Sequence, residues 1–158
     1  MDEGETQFVE RMGLLVEEDG WPRIAGRILG FLTVTAEPCS LDDIASALGV
    51  SRASVSTDAR RLMQSGLLER HSRPGDRRDY YRMAPQSVRS SLRDRIDRLR
   101  RYHGLIDDAA ALGVGGPQVA ARLAQWSEAH ALVLEAMEGA LVELDRRAAA
   151  EKPEPPVG

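Results

Sequence analysis

Arginine carries most of the chemistry available to this 158-residue sequence. Fourteen of its 21 basic residues lie within residues 51–101, where only six carboxylates accompany them: Asp58, Glu69, Asp76, Asp79, Asp94 and Asp97. The segment has a surplus of eight positive charges in a chain of net charge −4, so the remainder carries −12. Mild acidity over the whole chain argues against a polyanion as partner. Segregation of the charge argues for one, because asymmetry between contiguous segments is a footprint of nucleic-acid binding. Lys152 is the only lysine. The planar arginine fork suits bidentate contacts with phosphate and guanine. Arginine also fills the acidic parts of the chain, however, as a genome favouring arginine codons would produce.

Catalytic chemistry has little to work with. Three histidines are scattered along the chain, a single thiol has no base beside it in sequence, and no phosphate-cradling glycine loop or paired-carboxylate motif is present. The reading is therefore not an enzyme, with no cofactor and no metal. Cys39 alone excludes an intrachain disulfide and fits a reducing compartment. It is either an inert buried thiol or a redox sensor, and with Glu37 near and no cation adjacent in sequence it lacks an activator. The N-terminus has no basic flank ahead of an apolar stretch, and the uncharged run Ala109–Ala121 is short and broken by glycine and proline. A cytoplasmic protein with no membrane partner is expected.

The elements that must position the arginines are mostly helical. Phe8, Met12, Leu15 and Val16 recur at helical spacing and end at Asp19-Gly20. Pro22 suits the first turn of a second helix with the stripe Ile24, Ile28, Phe31, Leu32 and Thr35. Ser40 is placed to cap a short helix over 41–48, with Asp42 and Asp43 in its first turn and Gly49 ending it. Ser51 caps the next, whose buried stripe is Val55, Ala59 and Leu62 and which Gly66 terminates. Small Ala45, the Gly49 turn and Val55 at these offsets allow two short helices to cross closely, as a helix-turn-helix requires. Two extended runs, 67–73 and 77–83, then flank Pro74-Gly75-Asp76 and read as a β-hairpin wing.

Two long helices follow. Leu92, Ile96, Leu99, His103 and Ile106 step by four and three after Pro85, as do Val119, Leu123, Trp126, His130, Val133, Met137, Ala140 and Leu144 after Pro117. Such heptad seams pack on other helices, and another subunit is the simplest cover for them. The fold class is thus mainly α: a winged helix-turn-helix with a small β-hairpin wing, plus long helices forming a dimerisation region. Residues 1–20 form an N-terminal helix contributing to dimerisation, 21–84 the DNA-binding domain, 85–147 the helical dimerisation region and 148–158 a proline-rich disordered tail.

On the second helix of the motif, Ser51, Arg52, Ala53, Ser54, Ser56, Thr57, Arg60 and Arg61 lie away from the buried stripe. In a major groove the N-terminal members would meet base edges and the later arginines phosphates; otherwise the face is ordinary solvated surface. At the wing, Arg73, Gly75, Asp76, Arg77 and Arg78 form a basic tip suited to a narrow minor groove, or merely a solubilising hairpin. Trp21, Tyr102, His103, Trp126 and His130 are candidates for an effector pocket. Aromatic faces can hold a quaternary ammonium and histidines can respond to pH, while core or interface packing is the plainer account of all five.

The stretches Gly20-Trp-Pro-Arg-Ile-Ala-Gly-Arg-Ile-Leu-Gly30 and Leu41-Asp-Asp-Ile-Ala-Ser-Ala-Leu-Gly-Val-Ser-Arg-Ala-Ser-Val-Ser56, with Gly66-Leu-Leu-Glu-Arg70 and Pro74-Gly-Asp-Arg-Arg-Asp-Tyr-Tyr81, resemble the MarR superfamily of bacterial regulators, and within it the GbsR-like branch. The resemblance covers residues 8–83 and implies a dimeric, sequence-specific DNA-binding transcriptional regulator, a repressor or else an activator. It implies a dimer built from the first and the two long C-terminal helices. It also implies that Asp76 helps hold Arg77 and Arg78, one of which enters the minor groove, and that a small-molecule effector, choline in relatives named for the branch, releases the operator. Double-stranded DNA and a second copy of the chain are the expected partners. The rival reading is a winged-helix interaction module whose basic face binds an acidic protein.

Overall fold

Helices α1, α3 and α4 of the first part of the chain begin on local capping signals. In the computed structural model, which describes residues 1–150, α1 (Glu3–Glu18) begins at Asp2, whose side chain accepts from the Glu5 amide while Glu5 accepts from the Asp2 amide. Pro22 occupies the N-cap of α2 (Arg23–Val34). Ser40 and Asp43 form a second capping box at the start of α3 (Leu41–Leu48), and Gly49, at φ 63° and ψ 36°, closes that helix in the left-handed region. Ser51 then caps α4 (Arg52–Gln64) by accepting from the Ser54 amide. The helix-turn-helix thus stands where its caps and glycine place it.

A three-stranded antiparallel sheet follows, in the order β1 (Cys39–Ser40), β3 (Asp79–Met83), β2 (Leu68–Ser72). The hairpin runs in the register Leu68↔Met83 to Ser72↔Asp79. Strand β1, where sequence reading saw only the end of a helix and a cap, pairs Cys39 with Tyr81 and Ser40 with Tyr80. Two residues carry no alternation, so nothing local announces the strand.

Two compact units divide the chain, residues 1–88 and the residues from Arg89 onward. In the first, α2 is central and touches α1, α3, α4 and β3. Ala25, Ile28, Phe31 and Leu32 meet Ile44, Leu48, Val55 and Leu62 in one core, with Val9, Leu68 and Tyr81. Helices α1 and α2 approach so closely that a Cβ at Gly26 would lie 2.6 Å from the Met12 carbonyl oxygen and 2.8 Å from the Gly13 Cα. The α1 face in this contact is Val9, Met12, Gly13 and Val16, whereas Phe8 and Leu15, read from sequence as part of one stripe, are exposed with Leu14.

The second unit is an antiparallel pair, α5 (Ser87–Ala111) and α6 (Gly116–Ala150). Arg93 contacts Asp145 at 3.2 Å, Arg100 contacts Glu138 at 2.7 Å, and Ser127 donates to Asp107 at 2.7 Å. Helix α5 starts two residues after Pro85, behind a turn closed by the Ser87 amide on the Ala84 carbonyl. Ile96 of α5 and Leu134 of α6 are buried apolar side chains of this unit. On α6 the covered positions run through Val119, Leu123, Ser127, His130, Leu134 and Leu141, while Trp126 and Val133 of the expected seam are 58% and 49% exposed. That helix therefore has a second apolar face. It also continues through residues 148–150, correcting the start of the expected tail; residues 151–158 lie outside those described.

Candidate nucleic-acid interface

The exposed side of α4 is a short polar row that its own caps partly consume. Ser51 and Ser54 bond to each other, hydroxyl to hydroxyl at 2.8 Å, so both are engaged in capping. Arg52, Ala53, Thr57, Arg60 and Arg61 are exposed and Ser56 is half-buried. Arg52 is paired with Asp42 of α3 at 3.0 Å, and Arg61 with Asp58 at 3.3 Å. Arg60 makes no ion pair among the described residues. Asp58 faces inward beside Val55 and Leu62 and is buried, and this burial pushes its carboxyl above the ordinary range against the opposing pull of Arg61.

The wing is braced from inside. Asp76 accepts from the Arg78 backbone amide at 2.9 Å, from its Nη2 at 2.7 Å and from the Tyr80 hydroxyl at 2.7 Å. Those hydrogen bonds, Arg78 foremost, hold the Asp76 carboxyl well below the usual carboxylate range. The same bond to Asp76 holds the Tyr80 phenol above its usual value. Tyr80 is buried and also underlies the Arg73 guanidinium, 4.0 Å from its ring centroid. Arg73 in turn donates to the Pro38 carbonyl at 2.9 Å, tying the wing to the start of β1. Gly75, at φ 81°, makes the tip turn. Arg77 is exposed and makes neither hydrogen bond nor ion pair among the described residues. Arg70 and Arg82 are paired along the strands with Asp79 and Glu69.

Of thirteen residues expected at the interface, then, Arg60 and Arg77 present uncommitted guanidinium groups, and Arg73 and Arg78 hold the hairpin's shape. Sequence reading missed Tyr80 as a bracing residue and placed it only within the extended run 77–83. A tyrosine four residues beyond an aspartate carries no signal until the turn folds it back.

The five residues considered for an effector lie apart along the chain. Trp21 is half-buried against the core of the first unit. Tyr102 in the second unit is 57% exposed. His130 shares its Nδ1 with the Trp126 carbonyl at 2.7 Å, and the two rings lie 6.3 Å apart, tilted by 50°. His103 Nε2 is 3.5 Å from Asp107, and its Nδ1 is buried without a hydrogen-bond partner among the described residues.

Cys39 is half-buried and its thiol donates to the Glu37 carbonyl at 3.4 Å. Burial chiefly, with Asp43 and Glu37, pushes the thiol up; Arg73, distant in sequence, opposes this and does not prevail. Among the described residues there is no group of three His, Cys, Asp or Glu placed to hold a metal ion, and no helix long and apolar enough to cross a membrane.

A family model described as the MarR family matches residues 19–79. The chain is 36% identical over 143 residues to the HTH-type transcriptional regulator MmpR5 of Mycobacterium tuberculosis, covering 89% of this chain and 87% of that one. It is 27% identical over 81 residues to the putative HTH-type transcriptional regulator YvaV of Bacillus subtilis, covering 51% of this chain and 46% of that one. A crystal structure of a transcriptional regulator superposes with a TM-score of 0.73 at 35% identity, over 90% of this chain and 99% of that one.

Proposed function

Because the chain belongs to the MarR family of DNA-binding transcriptional regulators, we propose that it acts in the cytoplasm as a homodimeric repressor on a pseudo-palindromic operator, with half-sites about one helical turn apart. The N-terminal half of α4 reads base edges through Ser51, Ala53, Ser56 and Thr57, while Arg52, Arg60 and Arg61 meet phosphates. Arg77 enters the minor groove, and Asp76, Arg78, Arg73 and Tyr80 hold it there. The dimer covers the exposed apolar faces, Phe8, Leu14 and Leu15 on α1 and Trp126 and Val133 on α6. A dimer seated on a promoter excludes polymerase. A small molecule that changed the separation of the two recognition helices would release it, because only one spacing matches successive major grooves. The GbsR-like assignment rests on residues 20–30, 41–56, 66–70 and 74–81.

The observation that carries this reading is the division of labour at the wing: Arg78 is spent on Asp76, and Arg77 beside it is unspent. A duplex selected by the wild-type chain from a random pool tests it by fluorescence anisotropy. Contact with ~6–10 phosphates predicts that log K falls with log salt at a slope of about −5 to −9. Arg77→Ala should cost ~1–3 kcal/mol of binding, roughly 5- to 150-fold in affinity, without changing the melting temperature. A salt-independent complex, or an Arg77→Ala variant that binds as the wild type, overturns the assignment.

A further inference from the structure

Leu48 is the last residue of α3, and its carbonyl belongs to the group that a helix end leaves without intrahelical partners. The turn itself does not satisfy it: the Gly49 amide bonds to Ser46 and the Val50 amide to Ala45. Instead Arg27, from the middle of α2, donates its Nη2 to the Leu48 oxygen at 2.8 Å. The Nε of the same guanidinium lies 2.8 Å from Glu10 Oε1 of α1, in an ion pair whose N–H is not aligned for a hydrogen bond. Glu10 Oε2 is in turn held by Arg23 at 3.0 Å. The arginine stem reaches this position across Gly13, where a Cβ would stand 2.7 Å from Arg27 Cγ and 3.3 Å from Arg23 Cγ. A carboxylate, an arginine with a fifth of its side chain exposed, a carbonyl at the motif's turn and a glycine gap for the stem therefore line up across three helices.

We propose that Arg27 is a positioning residue for DNA reading, one that ties the end of α3 to α1 and so sets the angle at which the turn delivers α4. The guanidinium suits the task because its fork serves a carboxylate and a carbonyl at once and stays charged. A lysine has one point charge and can satisfy only one of the two at this span. A displacement of α1 moves Glu10, and through Arg27 it pulls on the turn rather than on the core. The proposal rests on α3 and α4 being the DNA reader.

The test uses the full-length variants Arg27→Lys and Glu10→Gln, the duplex selected by the wild-type chain, and a random-sequence duplex of equal length at fixed salt. Amide hydrogen exchange is followed at Gly49 and Val50. Arg27→Lys keeps the net charge, so affinity for random duplex stays at the wild-type level. Affinity for the selected duplex falls about tenfold, and the two turn amides exchange about tenfold faster, as expected when one partly buried acceptor loses its donor. Glu10→Gln moves both readouts in the same direction by less. Wild-type affinity for the selected duplex in Arg27→Lys, or an equal loss on both duplexes, overturns the proposal. Should Arg27→Lys fail to fold, Glu10→Gln decides: an unchanged ratio of selected to random affinity together with unchanged exchange at the turn refutes the tie. A wild-type chain that selects no duplex refutes the proposed function instead, and the exchange comparison still judges the link between Arg27 and the turn.

Discussion

Gly26→Ala adds one methyl group where α1 and α2 cross, and its effect on stability can be worked out in sign and size. The new Cβ would stand 2.6 Å from the Met12 carbonyl oxygen, 2.7 Å from Val16 Cβ and 2.8 Å from the Gly13 Cα. Two of these three atoms are backbone, so no side-chain rotation relieves the overlap and the helices must separate. Overpacking of a well-filled site costs ~1–3 kcal/mol, and an unyielding backbone contact places this one in the upper half of that range. Alanine returns about 1 kcal/mol through its better helix propensity. The net loss is about 1–2 kcal/mol, or ~2–8 °C in melting temperature for a chain of this length. Gly104→Ala is the matched control: it too lies inside a helix, α5, but has nothing within 4 Å of the added carbon. There only the propensity gain remains, and the melting temperature should rise by ~2–4 °C. Calorimetry at one fixed protein concentration compares the three chains and holds any association equilibrium constant. A Gly26→Ala chain at least as stable as the wild type, beside a Gly104→Ala chain that is stabilised, would refute the close crossing.

Three further substitutions address caps and titrating groups. Ser40→Ala removes the hydroxyl half of the α3 capping box, leaving the residue-40 backbone amide on Asp43, and should cost ~1 kcal/mol in urea unfolding. It should also flatten the acid limb, because the Ser40 hydrogen bonds hold Asp43 below its usual range, and the stability they give is present above that range and lost as pH falls through the depressed value. Asp76→Asn removes a carboxylate held low in the same sense, so wild-type wing order, followed by exchange at the Arg78 amide, should persist at neutral pH and fail in acid. The variant should show the acid behaviour at every pH. Asp58 has the opposite sign: its carboxyl is raised by burial, so its ionisation costs stability as pH rises through that raised value. Asp58→Asn should therefore melt higher than the wild type at neutral pH and converge with it in acid, and a variant that melts at or below the wild type at neutral pH would contradict this.

Legibility from sequence follows the range of the forces. The caps at Ser40 and Ser51 and the left-handed turn at Gly49 are decided within four residues, and there the expected and observed boundaries of α3 agree to the residue. Strand β1 is decided by pairing with Tyr80 and Tyr81, forty residues away, so it left no local trace. The bracing of the wing is intermediate. Asp76 and Arg78 are neighbours and could be linked from the sequence, whereas the Tyr80 hydroxyl and the Arg73 bond to Pro38 need the folded hairpin.

The apolar stripes show a different failure, one of assignment rather than of range. On α1 the residues that touch α2 include Gly13, which no hydrophobic pattern scores, while Phe8 and Leu15, which every pattern scores, face outward. On α6 the expected seam and the covered one diverge at Trp126 and Val133. A helix that serves one partner has one stripe, and its period identifies the buried face. A helix with two apolar faces has a wide stripe whose centre belongs to neither, so period analysis returns an average direction. Charge behaved the same way: a net value of −4 averaged an arginine-rich segment with an acidic remainder. In both cases the informative quantity was the departure from the mean at named positions. At Gly13 and Gly26 that departure is an absent side chain, which is why the contact that sets α1 against α2, and with it the path of Arg27 to the turn, could be found only in three dimensions.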